Sequence, residues 1–188
     1  MVEKQIKPIQ FFQYVLQLKC VKRAGWISKV RVNNPESVAD HTYSMCAISM
    51  VLSDILGLNT ERVLKMVILH DLAESIMGDY MPGEITKKQK LLQESDAMNS
   101  ILCCLPHGIR LNYKKIWQEY ILNRTDVARF VHRVDKLEMA LQARQYSKEG
   151  YSHKLLAPFF DSAGGSLLFD KPISMADLLN ALKLIPTK

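Results

Sequence analysis

The sequence predicts an all-α fold, a single domain of about six or seven helices. Three observations carry this. Apolar residues recur at helical three- and four-residue spacings along most of the chain. Runs of strict polar and apolar alternation are short and scattered, so no sheet is indicated. Helix start and stop residues punctuate the apolar stripes at ordinary helix lengths. No internal repeat, low-complexity tract or linker divides the 188 residues, which suit one domain with a core of useful size.

After Pro8, residues Ile9, Phe12 and Leu16 mark one face of a first helix, with Phe11, Val15 and Leu18 beside it. The mixed stretch from Gly25 to Pro35 reads as loop. Ser37 is an N-cap, with Asp40 placed for a capping box, and this second helix runs to about Leu56, before Gly57. A third opens at Thr60 and continues to about Met77, with Gly78 ending it. A fourth starts at Thr86, where Gln89 completes another capping pattern, and stops before Pro106. A shorter helix spans roughly Lys114 to Leu122, and a long one runs from Thr125 to about Ser147, before Gly150. Tyr151 to Pro172 reads mostly as loop, and Ser174 and Asp177 frame the start of a last helix.

Ordinary composition supports a soluble globular protein, with 48% apolar and 23% charged residues. No apolar run reaches the roughly 18 residues of a membrane span, and no secretory signal is visible at the N-terminus. Cys20, Cys46, Cys103 and Cys104 form no Cys-x-x-Cys pair, so a reduced, cytoplasmic protein is expected. The net charge of +6 favours anionic partners. It comes without the aromatic-interleaved basic stripe of a nucleic-acid binder.

The informative residues are ionisable groups that interrupt apolar stripes. In the second helix His41, Met45, Ile48, Leu52 and Ile55 follow spacings of four, three, four and three, placing His41 at the end of the stripe. In the third, Val63, Val67, His70, Glu74 and Met77 keep the same rhythm, and Asp71 lies about 100° around from His70. In the long helix Asp135 and Glu138 fall beside Val131, Val134 and Leu141. Buried imidazoles and carboxylates are costly unless paired or bound to metal, and helical bundles build metal sites from facing helices. Read singly, His41 also fits a hydrogen-bonded core histidine, His70-Asp71 a local ion pair or cap, and Asp135 a salt-bridge partner of Arg133 or Lys136. The run Lys87-Lys88-Gln89-Lys90 reads as a solvated helix face. Met45, Met50, Met66 and Met77 read as core filler, while His107, His132 and His153 carry no assignment.

In combination, a histidine, a later His-Asp doublet and a distant aspartate resemble the HD-domain metal phosphohydrolases. More narrowly, Pro35-Glu36-Ser37-Val38-Ala39-Asp40-His41 and Leu69-His70-Asp71-Leu72-Ala73-Glu74-Ser75-Ile76-Met77-Gly78-Asp79 resemble the first and second motifs of the HD-domain 5'-deoxynucleotidases. Val134-Asp135-Lys136-Leu137-Glu138-Met139 is similar to their final aspartate motif. The likeness runs from about Phe11 to Phe169 and favours the eukaryotic branch.

The resemblance implies an HD-type helical bundle that hydrolyses 5'-deoxynucleoside monophosphates, acts as a homodimer and needs one divalent ion (Mn, Co, Mg, Fe, Ni or Zn). It implies His41, His70, Asp71 and Asp135 as metal ligands, Glu74 as acid/base or water-orienting group, and Asp79 as the contact to the sugar hydroxyl. Trp26 matches the family's tryptophan, with an aromatic face for a base or a core anchor as its two roles. Gly25 stands where the bacterial pattern has arginine, leaving Arg23, Lys29 or Arg31 to supply the phosphate-binding charge. Competing readings are an HD phosphohydrolase of nucleoside triphosphates or cyclic nucleotides, and a non-catalytic nucleotide-binding scaffold.

Overall fold

A computed structural model of the protein describes residues 6–81 and 83–163. The described residues form eight α-helices and no strand beyond one isolated antiparallel bridge between Lys22 and Ser37. The helix expected near Ser174 lies outside the described residues.

Helix α1 spans Pro8–Gln17. Its inward side is the row beginning at Phe11, with Tyr14 and the buried Leu18 just beyond the helix. The row Ile9, Phe12 and Leu16 faces solvent at 74%, 58% and 55% exposure. Both rows are apolar, so periodicity alone does not say which one packs.

The stretch expected as loop after Gly25 contains a compact π-helical turn, Trp26–Val30, ending on Arg31 in the left-handed region at φ 63°. Trp26 organises this turn: at 1% exposure it stacks on Phe159 at 4.1 Å and meets Tyr146 edge-on at 5.1 Å.

Helix α2, Val38–Leu56, starts on the expected capping box: Ser37 Oγ accepts from the Asp40 amide at 3.1 Å, and Asp40 Oδ2 accepts from the Ser37 amide at 2.8 Å. It closes at Gly57, whose φ of 66° disfavours any residue with a Cβ. The buried side is Val38, His41, Met45, Ser49 and Leu52. Ile55, expected on that stripe, is half exposed, and so is Met50. His41 does begin the buried row.

Helix α3 covers Thr60–His70 and the short α4 covers Glu74–Met77. The sequence predicted one continuous helix here. The chain instead breaks at Asp71, with φ −106° and ψ 12°, and turns through Leu72 and Ala73. Leu72 and Ala73 are buried, so packing rather than helix propensity decides the break.

Helix α5, Lys87–Leu102, begins on the expected Thr86/Gln89 box. Helix α6, His107–Leu122, starts seven residues before its expected position at Lys114. Pro106 precedes its first turn, where a missing N–H costs little. Helix α7, Asp126–Lys148, is capped by Thr125 Oγ1 accepting from the Ala128 amide at 3.1 Å. Helix α8, His153–Ser162, was expected as loop because of Pro158. An interior proline costs about 3 kcal/mol, and burial of Leu156 and Phe160 together with the Phe159–Trp26 stack offsets it.

Helix α3 sits centrally, packed against α2, α6 and α7, while α7 also supports α8. The start of α2, the end of α3 and the middle of α7 meet at His41, His70, Asp135 and Glu138. No helix among the described residues is long and apolar enough to cross a membrane.

Candidate metal centre and adjoining cavity

His70 closes α3 with its ring buried, and Nδ1 lies 2.6 Å from the Val67 carbonyl. A carbonyl only accepts, so Nδ1 carries the hydrogen and Nε2 presents its lone pair. His41 is oriented in the same way from α2. Its Nδ1 lies 2.5 Å from Glu138 Oε2, a carboxylate on α7 that is 2% exposed. Carboxylate support of this kind fixes both ring angle and tautomer at a metal-binding histidine.

The two Nε2 atoms are buried and make no hydrogen bond among the described residues. Asp71 Oδ2 stands between them, 2.9 Å from His70 Nε2 and 4.0 Å from His41 Nε2. Asp135 Oδ1, from α7, is 3.4 Å from His41 Nε2. His41, His70 and Asp71 each offer a ligand-type atom within 4.8 Å of the others. Two orphaned imidazole nitrogens beside two carboxylates form a donor set that fits a divalent cation. A second group, Glu36, His41 and Glu138, meets the same distance limit. There the His41 Nδ1 hydrogen is already engaged by Glu138, which makes the group a mount for the ring.

Electrostatics agree with this assignment. Burial raises the Asp71 carboxyl, but His70, Arg23 and His41 hold it well below the usual range. Asp135 is likewise pushed up by burial and held low by His41 and Lys136. His41 is lowered by burial and by Arg23, yet Asp135 and Glu138 overcome both and push it up to about 9. A cation at Nε2 must therefore displace a proton at neutral pH, and affinity should rise with pH. The expected slope is about tenfold per pH unit below the His41 value. Manganese titration calorimetry between about pH 6.5 and pH 8.5 checks this, and a flat profile would mean that the ring is already neutral.

A cavity of about 360 Å³ opens beside this cluster. Glu74, 4% exposed, lines it from the start of α4, and its Oε2 makes no hydrogen bond among the described residues. Burial first, then Asp71 and Asp79, raise the Glu74 carboxyl well above its ordinary value. Asp79, just past Gly78, reaches the cavity as expected, while its Oδ2 also accepts from the Ala24 amide at 2.8 Å.

Of the three basic candidates, Arg23 reaches deepest. Its Nη1 is 3.4 Å from Asp71 Oδ2, and Asp71, Asp79, Asp135 and Glu74 together outweigh the effect of burial and secure its charge. Lys29 also lines the cavity, with Nζ 5.7 Å from the Phe159 ring centroid. Arg31 does not line the cavity. It is exposed at the left-handed end of the π-helical turn, and that turn of the chain accounts for the difference from expectation.

Trp26 lines the wall with one ring face taken by Phe159, so it is a core anchor that borders the site. Its Nε1 donates to Glu36 Oε1 at 2.8 Å. Glu36 is pushed up to about 7 by burial and by Glu138, against the lowering effect of Trp26.

Sequence reasoning missed Glu138 as the support of His41, although it stood one turn after Asp135 on the same stripe. It missed Phe159 and Tyr120 as lining residues, and no local signal marks either. Lys90, expected on a solvated face, also lines the cavity, paired with Glu94 at 3.6 Å. His132 is half-buried, stacked on Tyr120 rather than turned to solvent.

Fold and site together define an all-helical protein with a His/Asp centre at the meeting point of three helices. The chain belongs to the HD-domain family, whose model matches residues 15–163. It is 36% identical over 174 residues to the human 5'-deoxynucleotidase HDDC2, covering 92% of this chain and 84% of that protein. It is 37% identical over 161 residues to the 5'-deoxynucleotidase hdd1 of Schizosaccharomyces pombe, covering 83% and 80% respectively. Among solved structures it resembles a conserved hypothetical protein from Pyrococcus furiosus, with TM-score 0.69 and 31% identity over 82% of this chain and 86% of that one.

Proposed function

We propose that the chain hydrolyses 5'-deoxynucleoside monophosphates to deoxynucleoside and phosphate, with His41, His70, Asp71 and Asp135 holding a divalent ion. The observation that carries this reading is the pair of buried, unpartnered Nε2 atoms converging with Asp71 and Asp135 beside a cavity. The names of the relatives, 5'-deoxynucleotidases in animals and fungi, support the substrate class.

The ion, when bound, supplies charge neutralisation at phosphate and makes water more acidic. The protein's own groups do the rest. Arg23 offers a secured positive charge to the phosphate. Glu74, whose carboxyl burial raises, can as the acid give a proton to the 5'-oxygen as its bond to phosphorus breaks. Asp79 can accept a hydrogen bond from the sugar 3'-hydroxyl and crowd a 2'-hydroxyl. Phe159 and the edge of Trp26 offer an apolar wall that meets any base without reading its edges.

A homodimer goes with this reading, and the exposed apolar row Ile9, Phe12 and Leu16 offers a face on which two copies can pack. Four free thiols suit a reducing, cytoplasmic setting.

The test is phosphate release from each 5'-deoxynucleoside monophosphate and its ribonucleotide twin, after chelation and after return of Mn, Co, Mg or Zn. Metal-restored release favouring the deoxy compounds is expected. Asp79→Ala should weaken turnover of both sugars about tenfold, the scale of one lost hydrogen bond to a charged acceptor, and should narrow the deoxy preference because the 2'-hydroxyl is no longer crowded. No release from any monophosphate would replace this reading with triphosphate hydrolysis or a non-catalytic scaffold.

A further inference from the structure

Tyr120 stands near the end of α6, lines the same cavity and has no part in the steps above. Its ring is held on two sides, edge-on to His70 at 5.5 Å and stacked on His132 at 4.1 Å. His132 is itself fixed, with Nε2 3.0 Å from the Tyr120 carbonyl. Contacts on two sides set the plane of the phenol and hence the direction of its C–O bond.

The hydroxyl, by contrast, makes no hydrogen bond with any described residue. Tyr120 is half-buried, and a tyrosine hydroxyl that no protein group engages is open to a partner from outside the chain. This one sits on a ring that lines the cavity 5.5 Å from His70, in the field of Asp135, Asp71, Glu94 and Glu74. A clamped donor without a protein acceptor, on a residue that lines the cavity together with Asp71 and Asp135, is arranged to meet an acceptor on a ligand.

We propose that Tyr120 Oη donates a hydrogen bond to a non-bridging oxygen of the substrate phosphate, complementing Arg23 from another part of the chain. The inference rests on the monophosphatase reading only in that the substrate carries a phosphate. An acidic floor repels a phosphate dianion, so donors are needed there. A lysine at this position would pair with Asp71 or Asp135, whereas a neutral O–H leaves their charge available to a cation. A phenol keeps its proton at neutral pH in any case, and burial with the surrounding carboxylates only strengthens that.

Tyr120→Phe isolates the hydroxyl, because both ring contacts survive. Inorganic phosphate is titrated calorimetrically into the manganese-loaded protein, and manganese into the metal-free protein. Phosphate affinity should fall roughly tenfold or more, as for a hydrogen bond to a charged acceptor, with manganese affinity unchanged and KM for the monophosphate raised in parallel. Unchanged phosphate affinity would overturn the proposal, as would a wild-type protein that binds no phosphate. Weakened manganese binding would also overturn it, by showing that the hydroxyl acts through His70. A wild-type protein that binds phosphate but releases none from deoxynucleotides would count against the monophosphatase reading alone, and the comparison of phosphate affinities would still decide the role of Tyr120.

Discussion

Asp71→Ala is expected to abolish metal binding and turnover together while leaving the helices in place. A single oxygen, Oδ2, is 2.9 Å from His70 Nε2, 3.4 Å from Arg23 Nη1 and 4.0 Å from His41 Nε2. Its loss removes the anionic donor from the middle of the cluster and leaves two imidazoles flanking a gap. Metal ions contribute several kcal/mol of transition-state stabilisation, so turnover should fall by at least about a thousandfold. The fold should tolerate the change, since the Asp71 side chain caps no helix and its polar contacts are to Arg23 and to the two histidines of the cluster. Manganese titration, phosphate release and circular dichroism on the same sample read the three effects separately. Wild-type manganese affinity in the variant would move the ion to another group, first of all Glu36, His41 and Glu138.

The second large effect is expected at Glu74. Glu74→Gln keeps the shape and one donor but has no proton to give, so kcat should fall about 10²- to 10⁴-fold with KM little altered. A leaving-group series separates this role from simple positioning. Aryl phosphates, whose phenolate leaves without help, should lose much less than the deoxynucleotides, whose alkoxide needs a proton. Equal losses on both substrates would assign Glu74 to the attacking water instead. Burial, with Asp71 and Asp79, raises its carboxyl well above the ordinary value and so favours the acid form. Wild-type rate should therefore decline as pH rises through the Glu74 titration, a limb that the glutamine variant lacks.

What was legible in the sequence was what depends on neighbours along the chain. Ser37 with Asp40, Thr86 with Gln89, and Gly57 are local devices, and each stands where the spacing put it. His41 and His70 could be read as inward-facing because the apolar stripes continue through them. The break at Asp71 could not be read, since Val63 to Met77 keeps helical rhythm across it and only the burial of Leu72 and Ala73 makes the turn favourable. The same limit explains α1, where two apolar rows compete and only the packed partners choose between them. Arg23 and Arg31 are equivalent on paper. The left-handed residue at position 31 separates them in space, and a positive φ at arginine has no sequence signature. Tyr120 and Phe159 come from helices remote in sequence, so their part in the cavity is a property of the assembled bundle.

The hydrogen bond from Trp26 to Glu36 has a further consequence. Glu36 neighbours Glu138, and Glu138 steadies the His41 ring. The cavity wall at Trp26 and the bracket that aims an imidazole are thus one mechanical part. Carving away Trp26 to admit a bulkier guest would strand one carboxylate against another and loosen the histidine beyond them. Remodelling this cavity is bounded less by empty space than by what the histidine's bracket will bear.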